Sequence, residues 1–157
     1  MRGRILPSRF SPDSDAGQPV DYWTLAELRY CIRQFLHVRE VAARAAGIAP
    51  QQYLLLLQVK GLEDRGRATI GTLAERLQLR HHTTVELVDR LVARRLIARQ
   101  RAGREVVITL RPAGEAILTK LAAHSVRELQ TEGPTLVRAL TRLIKAPRPR
   151  RPEKRRD

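Results

Sequence analysis

Ile70-Gly-Thr-Leu-Ala-Glu-Arg-Leu77 is followed by Gln78-Leu-Arg-His81 and then by His82-Thr-Thr-Val-Glu-Leu-Val-Asp-Arg-Leu-Val-Ala-Arg-Arg95. The first segment sets Ile70, Leu73, Ala74 and Leu77 on one helical face. In the last, Thr84, Leu87, Val88 and Leu91 recur at the i, i+3, i+4, i+7 spacing of a buried stripe. The spacing predicts helices over 70–77 and 82–95 with a polar connector at 78–81. Two short helices, each with one buried stripe, joined by a tight turn, are the parts of a helix-turn-helix. The second helix keeps His82, Val85, Glu86, Asp89 and Arg90 on its other faces.

The next residues alternate as strands. Leu96-Ile-Ala-Arg-Gln-Arg101 reads as one strand, Ala102-Gly103 as a turn and Arg104-Glu-Val-Val-Ile-Thr-Leu110 as a β-branched second strand. Gly103 can take the positive φ that such a turn needs. The hairpin would be a wing whose tip carries Arg99, Arg101 and Arg104, within reach of phosphates or a narrow minor groove.

Thirty Lys and Arg against 16 Asp and Glu give the 157-residue chain a formal charge of +14. That balance points to a polyanionic partner, with a solvated arginine-rich surface as the plain alternative. Aromatics are 4% of the chain, so its core must be aliphatic. The single cysteine, Cys31, rules out an intramolecular disulfide. No apolar run approaches the ~18–20 residues of a membrane span, and Pro7, Pro12, Asp13 and Asp15 interrupt any signal-like run. The expectation is a cytoplasmic protein with no membrane partner. No Gly-rich phosphate loop, nucleophile elbow or Cys/His cluster is present in the sequence, so no enzyme activity, catalytic residue, metal site or cofactor is expected. His81 and His82 are adjacent, about 100° apart on a helix, and ill-placed to share an ion.

Around this centre the chain divides into a disordered arm at 1–20, N-terminal helices for dimerisation and core at 21–62, the winged region at 63–111, C-terminal dimerisation helices at 112–145 and a disordered basic tail at 146–157. Thr24 and Glu27 fit a capping box that starts the first long helix, and Gly47 ends it. Leu25, Leu28, Ile32, Phe35, Leu36 and Ala42 form its apolar stripe. Tyr22 and Trp23 either lock that helix onto a partner subunit or cover their own core. Pro50 opens a second helix, Pro50 to Lys60, apolar on most sides. A polar link follows at 61–66, then a short strand at Ala68-Thr69, with Thr69 capping the next helix. Pro112 opens a helix to about Thr131, and Gly133-Pro134 separates it from a last helix. These terminal helices lack a core of their own, which predicts an intertwined homodimer.

The Thr69-Ile-Gly-Thr-Leu-Ala-Glu-Arg-Leu77 run, Thr83, Leu87-Val-Asp-Arg-Leu91, Leu96-Ile97, Val107-Ile-Thr-Leu110 and Gly114 together resemble the MarR family of transcriptional regulators over roughly residues 24–144. The chain departs from the family's pattern in the wing. Asp-x-Arg there becomes Ala102-Gly-Arg104, the wing looks a few residues short, and Leu-Thr-x-x-Gly becomes Leu110-Arg-Pro-Ala-Gly114. The resemblance implies a mainly α fold with a small β-hairpin wing, a winged helix-turn-helix on a helical dimerisation scaffold. It also implies a homodimeric repressor that binds double-stranded DNA at a pseudo-palindromic operator, with a small-molecule effector held between scaffold and winged regions.

The candidate DNA-binding residues are Arg80, His81, His82, Thr83, Val85, Glu86, Arg90, Arg99, Arg101 and Arg104. The first four sit where helix N–H groups favour phosphate. Val85 either meets a thymine methyl or turns inward. Glu86 either accepts from a cytosine amine or stays solvated. Arg90 faces DNA or pairs with Glu86 at i, i+4. Arg104 takes the place of the family's minor-groove Arg, held by Glu105 or by nothing. Cys31 is a packed thiol or, with a lowered pKa, a reactive one. The competing reading is a winged-helix architectural or protein-interaction module with nonspecific DNA affinity.

Overall fold

A computed structural model of the protein describes residues 21–145, so the arm at 1–20 and the tail at 146–157 lie outside the described residues. The order is α1 (Tyr22–Ala45), α2 (Pro50–Leu62), α3 (Ile70–Leu77), α4 (His81–Ala93), β1 (Ile97–Ala102), β2 (Glu105–Leu110) and α5 (Pro112–Lys145). β1 and β2 form an antiparallel hairpin with Ile97 opposite Leu110 and Ala102 opposite Glu105.

The core gathers around α2. Leu55, Leu56 and Val59 are fully buried with Leu73 of α3, Val88 and Leu91 of α4, and Ile97 and Ile108 of the hairpin. Each element thus buries one stripe, and α2 receives most of them. Its outer face is open, because Leu54 and Leu57 remain exposed. Lys60 on α2 donates to Glu63 and to Glu115 of α5, both at 2.7 Å. The hydrogen bond to Glu115, then that to Glu63, pushes the Lys60 ammonium above its ordinary range.

Three helices close in the same way. After α1, Gly47 (φ 72) donates to the Arg44 carbonyl and Ile48 to that of Ala43. After α3, Gln78 (φ 54) donates to Glu75 and Leu79 to Ala74. After α4, Arg95 (φ 57) donates to Val92 and Leu96 to Leu91. These are Schellman closures, each followed by an apolar residue turned back on the core.

Several local expectations change. Asp21, not Thr24, caps α1: its carboxylate accepts the Thr24 N–H at 2.9 Å and the Thr24 hydroxyl at 2.5 Å. Thr24 is buried inside the first turn. α2 runs on to Leu62, since Leu62 buries itself in the core. Ala68-Thr69 makes no strand, and the Ala68 carbonyl accepts a single bond from Ile108 N–H at 2.8 Å. α5 continues through Pro134. Pro134 removes one helical hydrogen bond, yet α5 runs on to Lys145, packed along α1. The stripe of α1 is only partly covered: Leu25, Ile32 and Leu36 are exposed, and Tyr22 and Trp23 are 75% and 72% exposed. Covering their own core is therefore not what Tyr22 and Trp23 do.

Gly114 has a steric reason. A Cβ there would lie 2.1 Å from the Leu96 carbonyl oxygen. Gly114→Ala should cost about 3 kcal/mol in urea unfolding. Gly61→Ala, which meets open space in α2, should gain up to ~1 kcal/mol. A second expectation concerns acid. The Thr24 hydroxyl, then its N–H, lowers the Asp21 pKa below the ordinary carboxylate range. The cap's contribution is therefore complete above that range and lost as pH falls through the lowered value. Asp21→Ala should fray the first turn of α1 at neutral pH and abolish that acid dependence, read by amide hydrogen exchange.

Candidate nucleic-acid interface

The turn between α3 and α4 is set by backbone rather than by a capping side chain. Gln78 takes the left-handed conformation and Leu79 returns half-buried to the core. Arg80 then stands extended as the N-cap of α4, with its side chain unused in capping. Its carbonyl accepts the Thr84 N–H at 3.0 Å and the Thr84 hydroxyl at 3.1 Å. Thr84 is thereby buried with its hydroxyl satisfied, and α4 begins at His81, one residue earlier than its periodicity predicts. It ends at Ala93 rather than Arg95, because the Schellman turn consumes Arg94 and Arg95.

Thr84, Leu87, Val88 and Leu91 all face the core. At 100° per residue, His82, Glu86 and Asp89 stand opposite that stripe, with Arg90 and Thr83 on its flank. Arg80, His81, His82, Glu86 and Arg90 are exposed, and Thr83 and Val85 are half-buried. Val85 thus lies between the two orientations open to it. Arg90 and Glu86 approach at 3.7 Å with both side chains mostly exposed. Such a pair is worth only ~0.3–0.5 kcal/mol and yields readily to a phosphate.

The hairpin is rooted by Ile97 and Ile108 in the core. Its turn is Gly103-Arg104, with Gly103 at φ 66, so Arg104 occupies the tip rather than the start of β2. Arg101 and Arg104 are exposed and make no ion pair with the described residues. Glu105 does not hold Arg104. Its carboxylate accepts from Arg67 at 2.8 Å, since Arg67 lies beside β2. Arg99 is not at the tip but within β1, where it donates to Asp89 of α4 at 2.6 Å.

Two supporting residues escaped the sequence reading. Asp89 was legible only as half of an Asp-Arg signature, and no local spacing links it to Arg99. Arg94 donates to Gln52 Oε1 at 3.0 Å and to the Gly47 carbonyl at 2.8 Å, tying the end of α4 to the α1–α2 corner. Gln52 also accepts the Ala49 N–H at 3.1 Å, which explains a buried amide at the start of α2.

A cavity of about 400 Å³ lies between α1 and α5, bordered by Tyr30, Cys31, Phe35 and Leu136. Arg39 lies over the Phe35 ring at 3.2 Å and donates to the Ser125 carbonyl at 2.7 Å. Burial there lowers the Arg39 pKa. Cys31 is a half-buried free thiol on this wall.

A helix-turn-helix followed by a basic hairpin defines a winged helix-turn-helix, and comparison places it further. Residues 46–105 match the sequence profile of the MarR family. Staphylococcus aureus MepR, a transcription regulator of the multidrug efflux pump MepA, is 18% identical with a TM-score of 0.66, over 81% of this chain and 98% of its own. A MepR point mutant bound to an oligodeoxyribonucleotide is 19% identical with a TM-score of 0.59, over 81% and 98%. Streptomyces coelicolor AbsC, a MarR family transcriptional regulator, is 19% identical with a TM-score of 0.65, over 82% and 90%. A MarR family protein from Bacillus stearothermophilus is 27% identical with a TM-score of 0.64, over 80% and 96%. No curated protein sequence matches the chain. Residues 46–105 thus match the MarR family in sequence, and the chain shares the fold of solved MarR family transcription regulators.

Arg94→Ala should release the end of α4 from α2. It removes two charge-assisted bonds, so a loss of about 1–2 kcal/mol is expected in urea unfolding. Arg94→Lys cannot fork to both acceptors and should recover only part of it.

Proposed function

We propose that the protein is a homodimeric, sequence-specific DNA-binding transcriptional regulator, a repressor relieved by a small ligand. The observation that carries the DNA-binding part is the polar outer face of α4 beside the exposed Arg101 and Arg104 of the hairpin, which have no ion pair among the described residues. The candidate contacts remain Arg80, His81, His82, Thr83, Val85, Glu86, Arg90, Arg101 and Arg104. MepR's complex with an oligodeoxyribonucleotide supports the same use of the fold. Units 21–62 and 112–145 then serve as scaffold and 63–111 as the reading head.

The dimer is supported by uncovered apolar surface. Trp23, Tyr30, Ile32 and Leu36 of α1 and Val137, Leu140 and Ile144 of α5 are exposed. Patches of this size on one protomer call for a partner. Two copies related by a two-fold would present two α4 helices to half-sites about one helical turn apart. Relief by ligand would act through any molecule that favours a different spacing of those helices. The effector site implied by the resemblance lies between scaffold and winged regions, whereas the 400 Å³ cavity lies within the scaffold and opens beside the apolar face.

Purified protein should bind the duplex upstream of its own gene at least ~10³-fold more tightly than unrelated duplex at physiological salt. Arg104→Ala and Arg90→Ala should each weaken that binding. Leu36→Glu with Leu140→Glu should convert a sedimenting dimer to monomer and remove operator affinity. Equal, salt-sensitive affinity for every duplex would instead favour a nonspecific architectural module.

A further inference from the structure

We infer that the Asp89–Arg99 pair is a brace that fixes the wing against the recognition helix, and that Arg99 is a positioning residue rather than a phosphate contact. The inference rests on the reading of α4 and the hairpin as a DNA-binding surface.

A two-stranded hairpin is marginal by itself. Here Ile97 and Ile108 anchor only its root, and beyond them the strands project with mostly exposed side chains. Among the described residues, two ion pairs tie the projecting part to the body. Arg99 on β1 donates to Asp89 of α4 at 2.6 Å. Glu105 on β2 accepts from Arg67, ahead of α3, at 2.8 Å. The struts leave opposite strands and reach different elements, so together they set the wing's angle. The chain lacks an acidic residue in the Ala102-Gly103-Arg104 turn, and the brace therefore sits on the shaft and not at the tip.

The position of Asp89 gives the pair a second consequence. Asp89 stands on the helical face opposite the buried stripe, the face offered to a groove. An unpaired carboxylate there would oppose phosphate and base acceptors. Arg99 neutralises it, and Arg101 and Arg104 keep their charges for DNA. An exposed pair of this kind stabilises a fold by at most ~1 kcal/mol, so its effect should fall on wing placement far more than on global stability.

The test uses the full chain. Without DNA, Asp89→Asn and Arg99→Gln should each raise hydrogen exchange at the hairpin amides by up to about fivefold, with α2 and α5 amides unchanged. The exchanged pair Asp89→Arg with Arg99→Asp should restore protection. On unrelated duplex, where phosphate attraction dominates, Arg99→Gln should lower affinity with an unchanged slope against log salt, and Arg99→Lys should recover it. Arg101→Gln should reduce that slope by about 0.9, the signature of one lost phosphate contact. Unchanged hairpin exchange would overturn the brace. So would a slope that falls for Arg99→Gln as it does for Arg101→Gln. If exchange rises as expected but the wild-type chain binds no duplex, the brace stands and the DNA-binding reading fails.

Discussion

The peptide of Leu96 is where the functional elements meet. Its N–H closes α4 through the Leu91 carbonyl at 3.0 Å. Its own carbonyl accepts the Arg111 N–H at 3.0 Å, just ahead of α5. Gly114, in the first turn of α5, packs against that same carbonyl so closely that no side chain fits. The side chain of Leu96 is buried, and β1 begins at the next residue. α4, the hairpin and α5 are therefore pinned to one point. A rotation of α5 cannot leave α4 and the hairpin behind without breaking a backbone bond or opening the core. In a dimer built on α5, the spacing of two reading heads follows the packing of the scaffold through this corner.

The rest of the corner depends on conformations that are costly for ordinary residues. Gln78 and Arg95 occupy left-handed backbone that glycine adopts more easily. Each is tolerated because the next residue, Leu79 or Leu96, gains burial in the core. This is also why the C-terminal end of α4 was illegible in sequence. Gly47 announces the close of α1, but nothing in Arg95 announces a turn. The buried stripe of α4 was fully legible, since Thr84, Leu87, Val88 and Leu91 keep helical spacing whatever the terminal residues do.

The same contrast separates the scaffold's errors from its successes. Thr24 and Asp21 both carry capping chemistry, and spacing alone favoured Thr24 because Glu27 completes a box. The burial of Thr24 decides for Asp21, and burial is not a local property. Pro134 is a helix breaker by its own chemistry, yet α5 continues through it with α1 packed alongside. The α1 stripe was legible as apolar, but no pattern could say that half of it faces away from the chain's own core. That surface belongs to whatever covers the scaffold. A turn at Ala102-Gly103 would set Arg101 opposite Arg104; with the turn at Gly103-Arg104, Arg101 opposes Val106, a register shift of two residues.

With a formal charge of +14, the abundance of arginine says little about any single one. Geometry sorts them. Arg39 lies over Phe35 and donates to Ser125, Arg76 donates to Gln58 at 2.5 Å, and Arg94 joins α4 to α2. Arg67 and Arg99 spend their charge on Glu105 and Asp89. These are structural uses, and a guanidinium suits them because its planar fork reaches carbonyls and carboxylates that an ammonium would meet singly. Arg80, Arg101 and Arg104 are left exposed at the end of α4 and on the outer part of the hairpin, with no ion pair among the described residues. Two of the scarce carboxylates, Asp89 and Glu105, are taken up by Arg99 and Arg67, which leaves the charges of Arg101 and Arg104 uncompensated beside α4. Electrostatic attraction to a polyanion then acts on the face where α4 and the wing already converge, and the fold gives that attraction a direction.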